Sequence, residues 1–97
     1  IKKIKKNISE DGSKVGEFLG IMKFDLEGSE KFVKTYDSVI KTNKGKFHDS
    51  DTVSKAYVTD MIQELIDSKI HVEPVFISGK WCEIDTMQDL KRAEELF

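Results

Sequence analysis

The chain has 97 residues, 38% of them hydrophobic and 35% charged, with a formal net charge of −2; this is the balance of one small, soluble, structured domain. No run approaches the ~20 apolar residues of a membrane helix, no segment reads as a secretory signal, and the charge gives no electrostatic ground for nucleic-acid binding. The single cysteine, Cys82, excludes an intramolecular disulfide framework and fits a reducing cytoplasm.

Ile1, Ile4 and Ile8 are interleaved with Lys2, Lys3, Lys5 and Lys6. The pattern predicts an exposed or edge strand blunted by its lysines, in preference to a basic arm that meets phosphate or another protein. A strand already under way at Ile1 reads as a piece of a longer polypeptide, or as a chain that has lost disordered terminal residues. Glu10-Asp11-Gly12-Ser13 predicts a tight turn. The run from Val15 to Asp25 is nearly continuous in apolar character and predicts a more central strand. Gly16 and Gly20 interrupt it, as glycines do at a bulge or at close approach by another backbone or a ligand. Glu17, the acid beside Gly16, faces either solvent or a cleft.

From Leu26 to about Lys44 the apolar residues Phe32, Val33, Tyr36, Val39 and Ile40 recur at helical spacing. Glu27 and Glu30 near the start and Lys41 and Lys44 near the end suit the helix dipole. A polar loop with Lys44, Lys46 and His48 follows, read as solvated in preference to a phosphate grip. Asp51 or Thr52 is placed to cap a second helix, which carries Val53, Tyr57, Val58, Met61, Ile62, Leu65 and Ile66 and ends near Ser68. Ile70 to Ile77 predicts a strand, at an edge or bulged because Pro74 cannot donate to a ladder. Ser78-Gly79 turns it into a last strand that reaches Asp85. Thr86 then caps a final helix with Asp89 three residues on, whose stripe of Met87, Leu90, Ala93 and Phe97 is expected to be buried. The order is ββααββα, an α/β fold with a mixed sheet, with residues 1–97 forming one partial domain.

The last strand holds the chemistry. Alternation puts Trp81, Glu83 and Asp85 on one face and Cys82 and Ile84 on the other. Cys82 reads as a small buried hydrophobe more than as a nucleophile. An indole with two carboxylates at a strand end suits a cleft, and carboxylates two residues apart can share a Mg²⁺ ion, which takes one or two carboxylates plus waters and phosphates. Residue types alone favour a plainer reading, in which Asp85 caps the helix and Glu83 faces solvent. Zinc, haem, glycine-rich phosphate-loop and serine-elbow patterns are all missing, and neither His48 nor His71 has a ligand-spaced neighbour in sequence.

The stretch Gly79-Lys80-Trp81-Cys82-Glu83-Ile84-Asp85-Thr86, followed by Asp89-Leu90 and Ala93-Glu94, resembles the end of the catalytic domain of nucleotidyltransferases. That family activates sugar phosphates, phosphocholine and aminoalkylphosphonates. Gly16-Glu17-Phe18-Leu19-Gly20-Ile21 is similar to an earlier strand of the same enzymes, above all of the phosphocholine cytidylyltransferases and the transferase domains associated with phosphoenolpyruvate mutase. The resemblance covers nearly the whole chain in the same order. The tryptophan-to-threonine motif is the more specific of the two.

The resemblance implies a C-terminal, acceptor-side portion of a Mg²⁺-dependent enzyme. Such an enzyme moves a nucleoside monophosphate, CMP from CTP in the nearest type, onto a phosphorylated acceptor and releases pyrophosphate. Asp85 is the implied metal ligand. Glu83, Trp81 and Glu17 are the substrate-binding candidates, with Glu83 orienting an amine or water and Trp81 offering a π face to a quaternary ammonium. The family's glycine-rich nucleotide loop and its partner aspartate are missing here, so no residue is assigned a catalytic role and these residues alone are expected to be inactive. A cut sheet is further expected to self-associate through its exposed edges. The contrasting reading is a non-catalytic binding or assembly module whose acidic face meets a partner, or a regulatory relic that binds a metabolite.

Overall fold

The computed structural model describes Ile1, residues 3–5 and residues 15–97. The readings made on Lys2, Lys6, Ile8 and the turn at Glu10 to Ser13 lie outside the described residues. The described residues form α1 (Leu26–Thr42), a single 3-10 turn (Val53–Lys55), α2 (Val58–Asp67) and α3 (Met87–Leu96). None of them lies in a strand, and their sole β pairing is one antiparallel bridge between Phe47 and Ser50. The expected α/β mixed sheet is therefore overturned: over these residues the chain is helical with irregular connections.

The physical reason is pairing. An apolar run becomes a strand only when a neighbour answers its N–H and C=O groups. Residues 15–25 and 70–85 make no ladder with each other. Their side chains are correspondingly left in water, with Ile21 at 83% and Val75 at 88% exposure. The two segments do approach at one point. The Phe76 ring lies 3.6 Å from where a Cβ on Gly16 would sit, an ordinary van der Waals separation that a side chain there would tolerate. Gly20 instead takes a positive φ of 82° in a bend, with open space around it.

α1 follows from its sequence. Asp25 caps it, its Oδ1 accepting from the Gly28 amide at 2.6 Å, and Glu27 and Lys41 sit at the ends that the dipole favours. Its apolar face supplies Val39 to a small core with Phe47 and Met61, against which Phe32, Val53 and Ala56 pack. Phe24 reaches back over Phe32 edge-to-face, with centroids 5.3 Å apart.

α2 begins at Val58, five or six residues later than a cap at Thr52 or Asp51 gives; Thr52 leads only into the 3-10 turn, and the cause of the later start is Asp60. Its carboxylate accepts from the Tyr57 amide at 2.9 Å, which stops the chain as extended backbone at Tyr57 before the helix begins. It also accepts from the Asp49 amide at 3.0 Å and the Ser50 hydroxyl at 2.7 Å. One buried carboxylate thus starts a helix and fastens the preceding turn to it. The C-terminus of α2 closes in a Schellman arrangement, with Ile70 N–H donating to the Leu65 carbonyl and Lys69 N–H to that of Ile66, both at 3.0 Å. Lys69 occupies the left-handed position, φ 66°.

α3 starts as its sequence predicts, the Thr86 hydroxyl accepting from the Asp89 amide at 3.1 Å and the Asp89 carboxylate accepting from the Thr86 amide at 3.1 Å. Its expected buried stripe is corrected. Ala93 alone of the four is buried; Met87, Leu90 and Phe97 are exposed. Cys82 is half-buried and Ile84 exposed, so the expected inward face of that segment is not covered either.

Candidate functional site

The acidic stretch sits immediately before α3, where Asp89 organises the backbone. One oxygen of its carboxylate, Oδ2, accepts from the amides of both Asp85 and Thr86, each at 3.1 Å. The other, Oδ1, takes the Arg92 guanidinium. The Asp85 amide first, then Arg92 and Thr86, hold the Asp89 carboxyl below the ordinary aspartate range. Asp85 consequently has its main chain tied down while its side chain stands exposed. The capping role falls to Thr86 and Asp89 and not to Asp85.

Glu83 and Glu17 are exposed as well, and Trp81 is 42% exposed. A hollow of about 440 Å³ along α1 is lined by Ser29, Glu30, Val33, Lys34 and Asp37. Another of about 170 Å³ is lined by Lys3, Ile4, Lys5, His48, Asp49 and Gln63. Trp81, Glu83, Asp85 and Glu17 belong to neither. The strand whose alternation was expected to bring Trp81, Glu83 and Asp85 to one face is not formed; by residue type alone, Asp85 and Glu83 are oxygen donors of the kind a hard cation takes together with water and phosphate. The pair supplies two protein ligands at most, so these residues fit Mg²⁺ only where substrate or further chain completes the shell.

The structure assembles a second group that the spacing of the histidines does not reveal. His48 projects from the tight turn between Phe47 and Ser50, which is closed by two main-chain bonds of 2.9 and 3.0 Å. Its backbone is left-handed, φ 51°. The imidazole Nε2 lies 2.8 Å from Glu64 Oε2, and Nδ1 lies 4.0 Å from Asp67 Oδ2. Glu64 and Asp67 are one helical turn apart on α2. Their i, i+3 spacing was the available signal; His48, sixteen residues before Glu64, reaches them only through the fold.

The chain is 28% identical over 75 residues to the CTP:phosphoglutamine cytidylyltransferase of Campylobacter jejuni subsp. jejuni. That match supports a relationship to the nucleotidyltransferases. It takes in 77% of this chain and 28% of that protein, so the chain spans little more than a quarter of the length of the curated relative it matches. No family model matches the chain, and no solved structure does. The organisation of Asp85 by Asp89 and Thr86 is what the structure adds to this relationship. Asp85, the residue before the threonine that ends the motif, has its amide bonded to Asp89 and its side chain exposed.

Proposed function

We propose that these residues form the C-terminal, acceptor-side part of a Mg²⁺-dependent nucleotidyltransferase that transfers CMP from CTP to a phosphorylated acceptor with release of pyrophosphate. The observation that carries the reading is the similarity over 75 residues to a cytidylyltransferase, joined to the motif that ends in Asp85. Phosphocholine, an aminoalkylphosphonate or a sugar 1-phosphate are the acceptor classes in view.

In this reading Asp85 is a metal ligand, with Asp89 and Thr86 fixing the main chain from which it projects. Bound there, Mg²⁺ supplies neutralisation of phosphate charge. Glu83 orients an amine or a water at the acceptor, Trp81 covers a cationic head group, and Glu17 adds a further polar contact. The protein's share of such chemistry is mainly positioning and charge complementarity. On its own the chain lacks the nucleotide-gripping loop, and it is expected to leave CTP and phosphocholine unreacted.

The test is pyrophosphate release from CTP with a panel of phosphorylated acceptors, catalysed by the full-length polypeptide that carries this segment. Asp85→Asn should lower kcat/KM by about 10²-fold or more, the scale on which one transition-state charge contact acts. Trp81→Ala should act mainly on the KM for the acceptor. An Asp85→Asn enzyme as fast as the unsubstituted one sinks the assignment, and turnover by the 97 residues alone sinks the incompleteness.

A further inference from the structure

We propose that His48, Glu64 and Asp67 form a binding site for a borderline divalent transition-metal ion of the Zn²⁺ class, distinct from the Mg²⁺ role assigned to Asp85. One atom from each of the three side chains, an imidazole nitrogen and two carboxylate oxygens, lies within 4.8 Å of the others. Ligand atoms about 2.0–2.2 Å from a central ion stand somewhat over 3 Å apart in a tetrahedral shell. Glu64 approaches Nε2 and Asp67 approaches Nδ1, so bringing both carboxylates to an ion on one ring nitrogen asks for side-chain movements of up to about 1.5 Å, within reach of rotamer changes at these partly exposed residues. The donor chemistry selects the ion. Mg²⁺ and Ca²⁺ take oxygen ligands, whereas an imidazole among carboxylates favours zinc, cobalt or nickel. Three protein ligands leave a coordination position open, and His48 also lines the hollow that Lys3 and Lys5 border, where water or an anion can complete the shell.

What separates this group from a chance ion pair is how each member is held. His48 stands on a closed turn that Asp60 fastens to α2 through the Asp49 amide and the Ser50 hydroxyl. Its ring packs edge-on to Phe47 with centroids 4.7 Å apart. Glu64 and Asp67 share one face of α2. Asp67 is oriented from behind: the Ile4 amide donates to Gln63 Oε1 at 2.8 Å, and Gln63 Nε2 donates to Asp67 Oδ1 at 2.8 Å. Oδ2 is thereby left facing the imidazole. Outer partners of this kind set the direction of metal-ligating carboxylates and histidines.

Zn²⁺ titration of the full chain by calorimetry tests the proposal. The Co²⁺ visible spectrum provides a second readout, and Cys82→Ser removes the thiol as a competing ligand. One Zn²⁺ per chain should bind in the micromolar range or tighter, unaffected by Cys82→Ser, and Co²⁺ should give no thiolate charge-transfer band. His48→Gln and Asp67→Asn should each weaken binding by at least tenfold, and Gln63→Ala by about tenfold through the loss of Asp67 orientation. Asp67→Asn alters an exposed side chain, so circular dichroism should report an unchanged fold and its binding result stands whatever His48→Gln does to folding. Absence of binding by the folded chain, binding that Cys82→Ser abolishes, or equal affinity in Asp67→Asn overturns the site.

Discussion

Asp60 fastens the turn at Asp49 and Ser50 to the start of α2. It is 3% exposed and satisfies two main-chain amides and a hydroxyl from three separate positions. Burial alone pushes its carboxyl up; the bonds from Ser50, Tyr57 and Asp49, together with the charge of His48, outweigh that and hold it below the ordinary aspartate range. Asp60→Ala leaves those donors without their acceptor in a buried place, which costs about 2–3 kcal/mol; a urea melt at neutral pH should show it as a lower midpoint. The pH dependence has a definite sign. A carboxyl whose folded value lies below its unfolded value, about 3.9, contributes its full stabilisation above that pH and loses it as the pH falls through the folded value. Urea midpoints measured at stepped pH should therefore fall below about pH 4, and less steeply in Asp60→Asn than in the unsubstituted chain. Equal slopes would show that Asp60 is not held as the structure has it.

At the scale of elements, the helices read from the sequence are formed and the strands read from it are not, for a common reason. A helix satisfies its own backbone, so local signals suffice: the Phe32-to-Ile40 spacing and the charges at either end give α1, and Thr86 with Asp89 gives α3, while the Asp25 cap sat inside an expected strand. The start of α2 was misplaced because the feature that decides it is a side chain inside the helix reaching back, not a residue ahead of it. Strands borrow their hydrogen bonds from elsewhere in the chain, and the runs at Val15 and Ile70 make no ladder among the described residues, although the Ile1 amine donates to the Val72 carbonyl at 3.0 Å. The acidic motif was legible as residues, and the Thr86–Asp89 capping pair with it; that Asp89 also takes the Asp85 amide, and that His48 meets Glu64 and Asp67, required the fold. The α2 terminus carries its own prediction. Lys69 sits at the left-handed position of a Schellman close, where a side chain is strained and glycine is not. Lys69→Gly should raise stability by up to about 1 kcal/mol, seen as a higher thermal midpoint; a lower midpoint would place that residue outside the left-handed region. Thr86→Ala should cost about 1 kcal/mol locally, read as reduced helical ellipticity with α2 unaffected.

Taken as a whole, the molecule is wider than its length calls for. Its radius of gyration is 16.0 Å, against about 13 Å for a compact 100-residue domain. Among the described residues the buried hydrophobic side chains are few, and Val39, Phe47 and Met61 cluster where α1, the Phe47 turn and α2 meet. The segment between α2 and α3 crosses the surface with Val75, Ile77 and Ile84 exposed. Stability is then unevenly distributed, because opening costs least where apolar contacts are sparse and the main chain is solvated. Native-state hydrogen exchange makes this quantitative. Amides of Met61, Ile62 and Leu65 in the packed helix should be protected by several orders of magnitude, approaching the global unfolding free energy. Those of Val75 and Ile77 should exchange within about tenfold of the unstructured rate. The amide of Asp85 should stand between, slowed by its bond to Asp89 but free to fray with the first turn of α3. If Val75 and Ile77 were protected as strongly as α2, a ladder absent from this arrangement would be present in solution. The acidic motif would then rest on a sheet, and the irregular connection described above would be wrong.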